Sequence, residues 1–334
     1  MAPLRYLARA DVEMSAPAMD EQLELAKMAL LAVEGGAVVP AKIAVPLASP
    51  LGFLRAMPAF VDRDANGARP AIAGLKWIAT VPHNKLLGLP AISGLIVLND
   101  GETGLPTAVM EAQTITAMRT AAVSGVAISE LLPAASRGGT SVGLIGAGTQ
   151  GRSHVKVVAH LLDDFSMRIY DPHADRAEAL ARAALESGAR TATVAESPKA
   201  AVQDASLVIT AAAFSRPKQV MSTDWINSAA LIAAVDHATY VSSEVARSAS
   251  VFLVDDMKHF LDALHAEPSS IHPDRFEGYP VPSATIGRFL LDGQERPSGT
   301  VLFSHLGLAS VDILFADAVM RSAAINGLGV GLQS

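Results

Sequence analysis

SVGLIGAGTQGRSHVKVV, residues 141–158, decides the fold. Its opening apolar run, Val142, Leu144 and Ile145, is long enough for one buried parallel strand and too short for a helix. Gly146, Gly148 and Gly151 follow. The first permits a tight turn, the second close approach of backbone to a pyrophosphate, and the third close packing of helix on strand. Thr149 and Gln150 complete this loop. From Arg152 the pattern is helical, so free N–H groups and the positive end of the helix dipole face an anion. A second strand, MRIYD, ends at Asp171, twenty residues beyond Gly151. A carboxylate there reaches both ribose hydroxyls of an adenosine and repels a 2′-phosphate. The pattern predicts a site for NAD in preference to NADP. A glycine turn with a capping aspartate is the competing reading, and strand, glycines, helix and acid in register outweigh it. Arg168 and Arg176 flank the strand end, and either could turn toward a phosphate.

Downstream, MRIYD, ADRAEALARAALESG, SLVITAAAF, ALIAAVD and SVFLVDD alternate strand with helix, the signature of a doubly wound parallel sheet. Upstream the texture differs. DEQLELAKMALLAV, residues 20–33, is an amphipathic helix stopped by Gly35 and Gly36. The stretch after it is cut by Pro40, Pro46, Pro50 and Pro58, as expected of strands with edges and turns. GLKWIATVP and GLIVLND continue the antiparallel character, with a turn over Asn99 to Gly104. Thr107 to Leu132 begins as strand and becomes a long helix, and Pro133 to Gly139 reads as a linker. The closing VLFSHLGLASVDILFADAVMRSAAINGLG reads as a turn and a long amphipathic helix that returns to the first domain. The expected architecture is α/β: a Rossmann-type doubly wound domain at 133–305, and a second α+β domain of mostly antiparallel strands from 1–132 plus 306–334.

The chain has 334 residues, half of them apolar, a formal charge of −7 and no cysteine. That charge without any basic stripe argues against nucleic-acid and anionic-membrane partners. The lack of cysteine excludes disulfides, thiolate metal sites and a cysteine nucleophile, and it suggests a cytoplasmic home. MAPLRYLARADVEM carries charges and no apolar core, so it is no signal peptide. No apolar run approaches the ~18 residues of a spanning helix. The nine histidines form no H-E-x-x-H pattern, and no G-x-S-x-G occurs, so metal and serine-nucleophile chemistry are not expected. Two polar residues stand out. Lys76 lies among Leu75, Trp77 and Ile78 and must face solvent or meet a buried anion, the outward reading being the simpler one. Asp236 ends ALIAAVD at the carboxyl end of a strand, where open α/β sheets place ligands; capping a following helix is its bland alternative.

Three stretches, GLPAISGLIVLNDGETGLPTAVMEAQTITAMRTAAVSGVA, GLIGAGTQG and SHLGLASVD, together resemble the ornithine cyclodeaminase and mu-crystallin family. The resemblance covers most of the chain, and TAMRTAA upstream of the glycine loop is its most specific part. It implies a homodimer that binds a nicotinamide dinucleotide and acts on small amino acids or cyclic imino acids, with the first domain serving substrate and, together with the apolar helix Val311 to Ala324 after His305, which needs a partner surface, supplying the dimer contact. Lys76 matches the lysine beside the substrate carboxylate, and Arg119 the arginine that binds it, a residue whose rigid donor fork suits a carboxylate. Lys42 stands where a second arginine is expected, Thr116 belongs beside the cofactor, and Asp236 aligns with the catalytic aspartate. The departures follow Asp236, where DHATYVSSE keeps only Glu244 of the family's continuation. His237 and His305 also replace smaller or different residues and imply a more polar pocket. The function so implied is NAD-linked reduction of the C=N bond of a small imino acid, with Asp236 and Lys76 catalytic. A redox-neutral cyclodeaminase, which returns its hydride, is the alternative within the family; a non-enzymatic binder of NAD and a small ligand is the alternative outside enzymes.

Overall fold

The computed structural model describes residues 4–49, 52–62, 69–133, 139–213, 219–265 and 276–333. Most of the expected linker, residues 134–138, lies outside them. In chain order the first elements are β1 (Leu4–Leu7), α1 (Arg9–Met14), α2 (Met19–Glu34), β2 (Ile43–Pro46), β3 (Phe53–Val61), β4 (Ile72–Thr80), β5 (Ile92–Asp100), β6 (Pro106–Glu111) and α3 (Ala112–Leu131). There follow β7 (Thr140–Ile145), α4 (Thr149–Leu161), β8 (Phe165–Tyr170), α5 (Ala174–Glu186), β9 (Thr191–Val194), α6 (Pro198–Val202), β10 (Leu207–Thr210) and β11 (Leu231–Ala234). The last are α7 (Ser243–Ser248), β12 (Val251–Val254), α8 (Met257–Leu264), β13 (Ala284–Thr285), α9 (Ile286–Leu291), β14 (Val301–Ser304), α10 (Ala309–Ile325) and β15 (Val330–Leu332).

Two compact units result, one from the described residues of Met1–Arg119 and Gly307–Ser334, the other from those of Thr120–His265 and Asp274–Leu306. The division falls inside α3 rather than at the linker. From Thr120 through Ile128 every residue of that helix is buried, so this half packs as core instead of serving as a connector.

In the first unit a seven-stranded sheet runs β15-β1-β6-β5-β4-β3-β2, antiparallel except where β1 lies parallel to β6. Register sets Met57, Lys76, Ile96, Met110 and Leu7 in one row across five strands, all of them buried. α10 lies on this face and packs against β3, β4, β5 and α2. Gly74 allows the approach, since a Cβ there would come within 2.8 Å of Ile313 Cγ2. α10 is not the amphipathic helix expected from its sequence: Ala309 through Val319 are buried on every side, because sheet and α2 enclose the helix.

The second unit holds an eight-stranded parallel sheet in the order β13-β12-β14-β11-β10-β7-β8-β9. Counted from β7, one edge reads first, second, third and the other continues with the fourth and fifth strands, the dinucleotide-binding arrangement. VLFS, expected as a turn, is instead β14, wholly buried and paired with both β11 and β12. A run of four residues buried on both faces carries no alternation to reveal it. No helix among the described residues is long and apolar enough to cross a membrane.

Candidate active site

In the second unit the glycine loop has the geometry its sequence requires. Gly146 sits at φ 107°, where a Cβ would fall 2.5 Å from the Ala211 carbonyl oxygen. At Gly151 a Cβ would meet the Gly146 carbonyl oxygen at 2.1 Å, so the helix can lie this close to the turn only with glycine. Gly148 differs: nothing stands within 4 Å of its added Cβ, which leaves open space above the turn. It is also the N-cap of α4 and brings no side chain to the first-turn N–H groups, including those of Thr149, Gln150 and Gly151. Backbone donors at the helix start, an open cradle and a helix dipole together fit a pyrophosphate.

Asp171 stands at the rim of this loop, its Oδ2 accepting from the Ala147 N–H at 2.8 Å and its Oδ1 from the His173 N–H at 2.9 Å. Those two bonds fix the carboxylate at the end of β8, and each oxygen keeps a lone pair for a ribose hydroxyl. Arg168 does not turn toward this place: its guanidinium donates to the carbonyls of Ala201 and Gln203. Arg176 is exposed in the first turn of α5. Tyr240 lies within electrostatic reach of Tyr170, Asp236 and Asp171, and burial first, then these neighbours, push its phenol up to about 12.

Asp236 follows β11 and is fully buried. Its backbone carbonyl accepts from the Thr239 N–H at 3.2 Å and the Thr239 hydroxyl at 2.7 Å, closing a turn in which His237 (φ 51°) and Ala238 (φ 58°) are both left-handed. Two such non-glycine residues in succession store strain where the sheet offers its ligand end. The helix-cap alternative does not hold, since Ser242 caps α7. Elsewhere in this unit, three buried side chains form a directed chain. The Gln150 carbonyl can only accept, so His154 donates to it through Nδ1 at 2.7 Å. Burial holds His154 neutral, its pKa near 4 despite that bond, which makes its Nε2 an acceptor for the Ser124 hydroxyl at 2.9 Å. Ser124 Oγ in turn accepts from His305 Nε2 at 3.0 Å, so His305 carries a proton on Nε2.

In the first unit, the buried anion that Lys76 requires is supplied by the chain itself. Its Nζ lies 2.7 Å from Asp312 Oδ2, with Lys76 1 % and Asp312 0 % exposed. The Arg119 Nε donates to Asp312 Oδ1 at 2.9 Å, and Lys76 Nζ also reaches Thr116 Oγ1 at 3.5 Å. Burial lowers the Lys76 pKa to about 8; Asp312 opposes that shift, while Arg119 and Arg55 add to it. The structure thus brings together three residues singled out from sequence, Lys76, Thr116 and Arg119. It adds Asp312, whose one signal is a carboxylate in the apolar run ASVDILFADAV. Lys42 is half-buried ahead of β2, and the cation that flanks Lys76 from β3 is Arg55, its guanidinium 4.5 Å over the Phe53 ring.

The chain is similar to known proteins over nearly its whole length. The chain is 32 % identical to nodulation efficiency protein NfeD of Rhizobium meliloti, over 98 % of either sequence. The solved Thermococcus litoralis Delta(1)-pyrroline-2-carboxylate reductase, in complex with NADH and L-proline, superposes with a TM-score of 0.82 at 26 % identity, covering 98 % of this chain and 100 % of that one. An archaeal alanine dehydrogenase dimer with bound NAD gives 0.81 at 25 %, over 99 % of both chains. The family model described as ornithine cyclodeaminase/mu-crystallin matches residues 6–326, and the chain belongs to that family.

Proposed function

We propose that this protein is an NAD-dependent oxidoreductase that reduces the C=N bond of a small imino acid. The observation that carries this reading is the pair of buried cations, Lys76 and Arg119, held on β4 and α3 in a chain whose other unit contains the dinucleotide turn. Two desolvated cations serve a binding anion better than they serve stability. Relatives of like fold are named for imino-acid reduction and amino-acid oxidation, which matches a carboxylate-bearing substrate.

The dinucleotide, when bound, supplies the hydride, and the net reaction takes up one proton as C=N becomes CH–NH. Gly146, Gly148, Thr149, Gln150 and Gly151 would hold its pyrophosphate, Asp171 its adenosine ribose, and Thr116 its other half. Arg119 and Lys76 hold the substrate carboxylate, the guanidinium as a fork and the ammonium as a point charge. Lys42 supports this clamp. Asp236 balances the charge of the protonated imine, the form that accepts hydride more readily, and holds or yields a proton.

The test follows NADH absorbance with Δ1-pyrroline-2-carboxylate and with imines formed from keto acids plus ammonia or methylamine. One NADH consumed per amino acid formed is expected. Ammonia released from ornithine at flat absorbance would show a redox-neutral cyclodeaminase instead, and tight NADH binding with no turnover of either kind would show a binding protein.

A further inference from the structure

We propose that Asp312 is a positioning residue of the carboxylate clamp: its two oxygens take one donor from Lys76 and one from Arg119, setting the cations side by side and leaving their other donors for a single ligand carboxylate. The role rests on the reading of Lys76 and Arg119 as substrate-binding. Asp312 is fully enclosed on α10 and spends Oδ2 on the ammonium at 2.7 Å and Oδ1 on the guanidinium Nε at 2.9 Å. An ammonium has three donors and a guanidinium five, so both retain capacity after this bridge. The Nη edge of Arg119 lies against Gly307, where φ is 82° and a Cβ would fall 2.7 Å from Nη1 and 2.8 Å from Nη2. A side chain at that position would displace the guanidinium. Gly307 and Asp312, in the same SHLGLASVD stretch, therefore place Arg119 from two sides.

Charge points the same way. The groups that face Lys76 are Asp312 from α10, Thr116 and Arg119 from α3, and Arg55 from β3. Of these groups, those left to the buried lysine without Asp312 are two cations and a hydroxyl. With it, Lys76, Arg119 and Asp312 together carry one excess positive charge and Arg55 adds another, so the group favours an anionic ligand. Asp312 is also the counter-charge that keeps the Lys76 pKa from falling below its value of about 8.

Asp312→Asn keeps the shape and removes the charge. It should leave NADH affinity, read by fluorescence titration, within twofold of wild type. KM for the imino acid should rise at least tenfold with a much smaller change in kcat, and the fall of kcat/KM on the alkaline side, near pH 8 in wild type, should move down by a unit or more. Asp312→Glu, which restores charge but not reach, should raise KM and leave that fall near pH 8. An unshifted pH profile in Asp312→Asn overturns the proposal, as does equal loss of NADH affinity and substrate affinity. Failure of both variants to fold confines Asp312 to the core and overturns it too. If wild type binds NADH yet reduces no imino acid, the assigned reaction falls. The role of Asp312 is then read by calorimetry with pyrrole-2-carboxylate, whose affinity should drop tenfold in Asp312→Asn.

Discussion

Lys76 lies in the middle of a cross-strand row that is otherwise apolar, and on the proposed reading it and Arg119 bind the substrate carboxylate. Arg119→Ala should therefore cost roughly 2–5 kcal/mol of transition-state binding, the scale for removing one partner of a buried charge pair. NADH affinity should hardly change, and equal losses in both would put Arg119 in the fold or the cofactor site. At Asp171, substitution by serine removes the negative charge and should narrow the preference for NADH over NADPH; a wild-type preference for NADPH would contradict the role assigned to this residue. His154 makes a stability prediction. Its folded pKa near 4 lies below the usual 6.5, so the unfolded chain binds the extra proton between those values, and stability is lost as pH falls through that window. The loss should approach ~3 kcal/mol between pH 7 and pH 4, and His154→Gln should flatten that part of a denaturation series.

Elements differ in how plainly their sequences announce them. The β7 glycine loop and α4 are legible because strand, turn and helix each impose a residue pattern within a few positions. β14 is not, because a strand buried on both faces lacks alternation and is recognised only by the neighbours it pairs with. Asp312 is hidden for a related reason: its partners lie far away in sequence, on β4 and α3, and only the packing of α10 on the sheet brings them within reach. Arg55 escapes a sequence reading, since which early side chains share a face with Lys76 depends on register. Register pairs Met57 with Lys76 and Arg55 with Ile78, which sets Arg55 on the face of Lys76. The seat of α10 can be tested at Gly74, where a Cβ would meet the Val97 carbonyl oxygen at 2.7 Å as well as Ile313. Gly74→Ala should lower stability by roughly 1–3 kcal/mol through overpacking, and it should raise substrate KM by moving Asp312. A variant of unchanged stability and KM would show that α10 can lie further from the sheet without consequence.

For the whole molecule the question is what covers the other face of the seven-stranded sheet. α10, expected from its sequence to need a partner surface, already has one within its own unit, so a contact between copies must use something else. The sheet's outer face offers it: Trp77 and Leu95 pair across β4 and β5, and Ile43, Val45 and Tyr6 extend the same face, each of them more than a third exposed. A contiguous apolar sheet face of this kind marks an interface, and a two-fold axis lets one patch complement itself. The related archaeal alanine dehydrogenase is a dimer. We expect a homodimer through this face. Light scattering at micromolar concentration should give twice the 34.7 kDa chain mass. Trp77→Glu combined with Leu95→Glu should give monomers that keep NADH affinity, because the dinucleotide turn lies in the other unit. A wild-type monomer would remove the expectation; a dimer that survives both glutamates would move the contact to another surface.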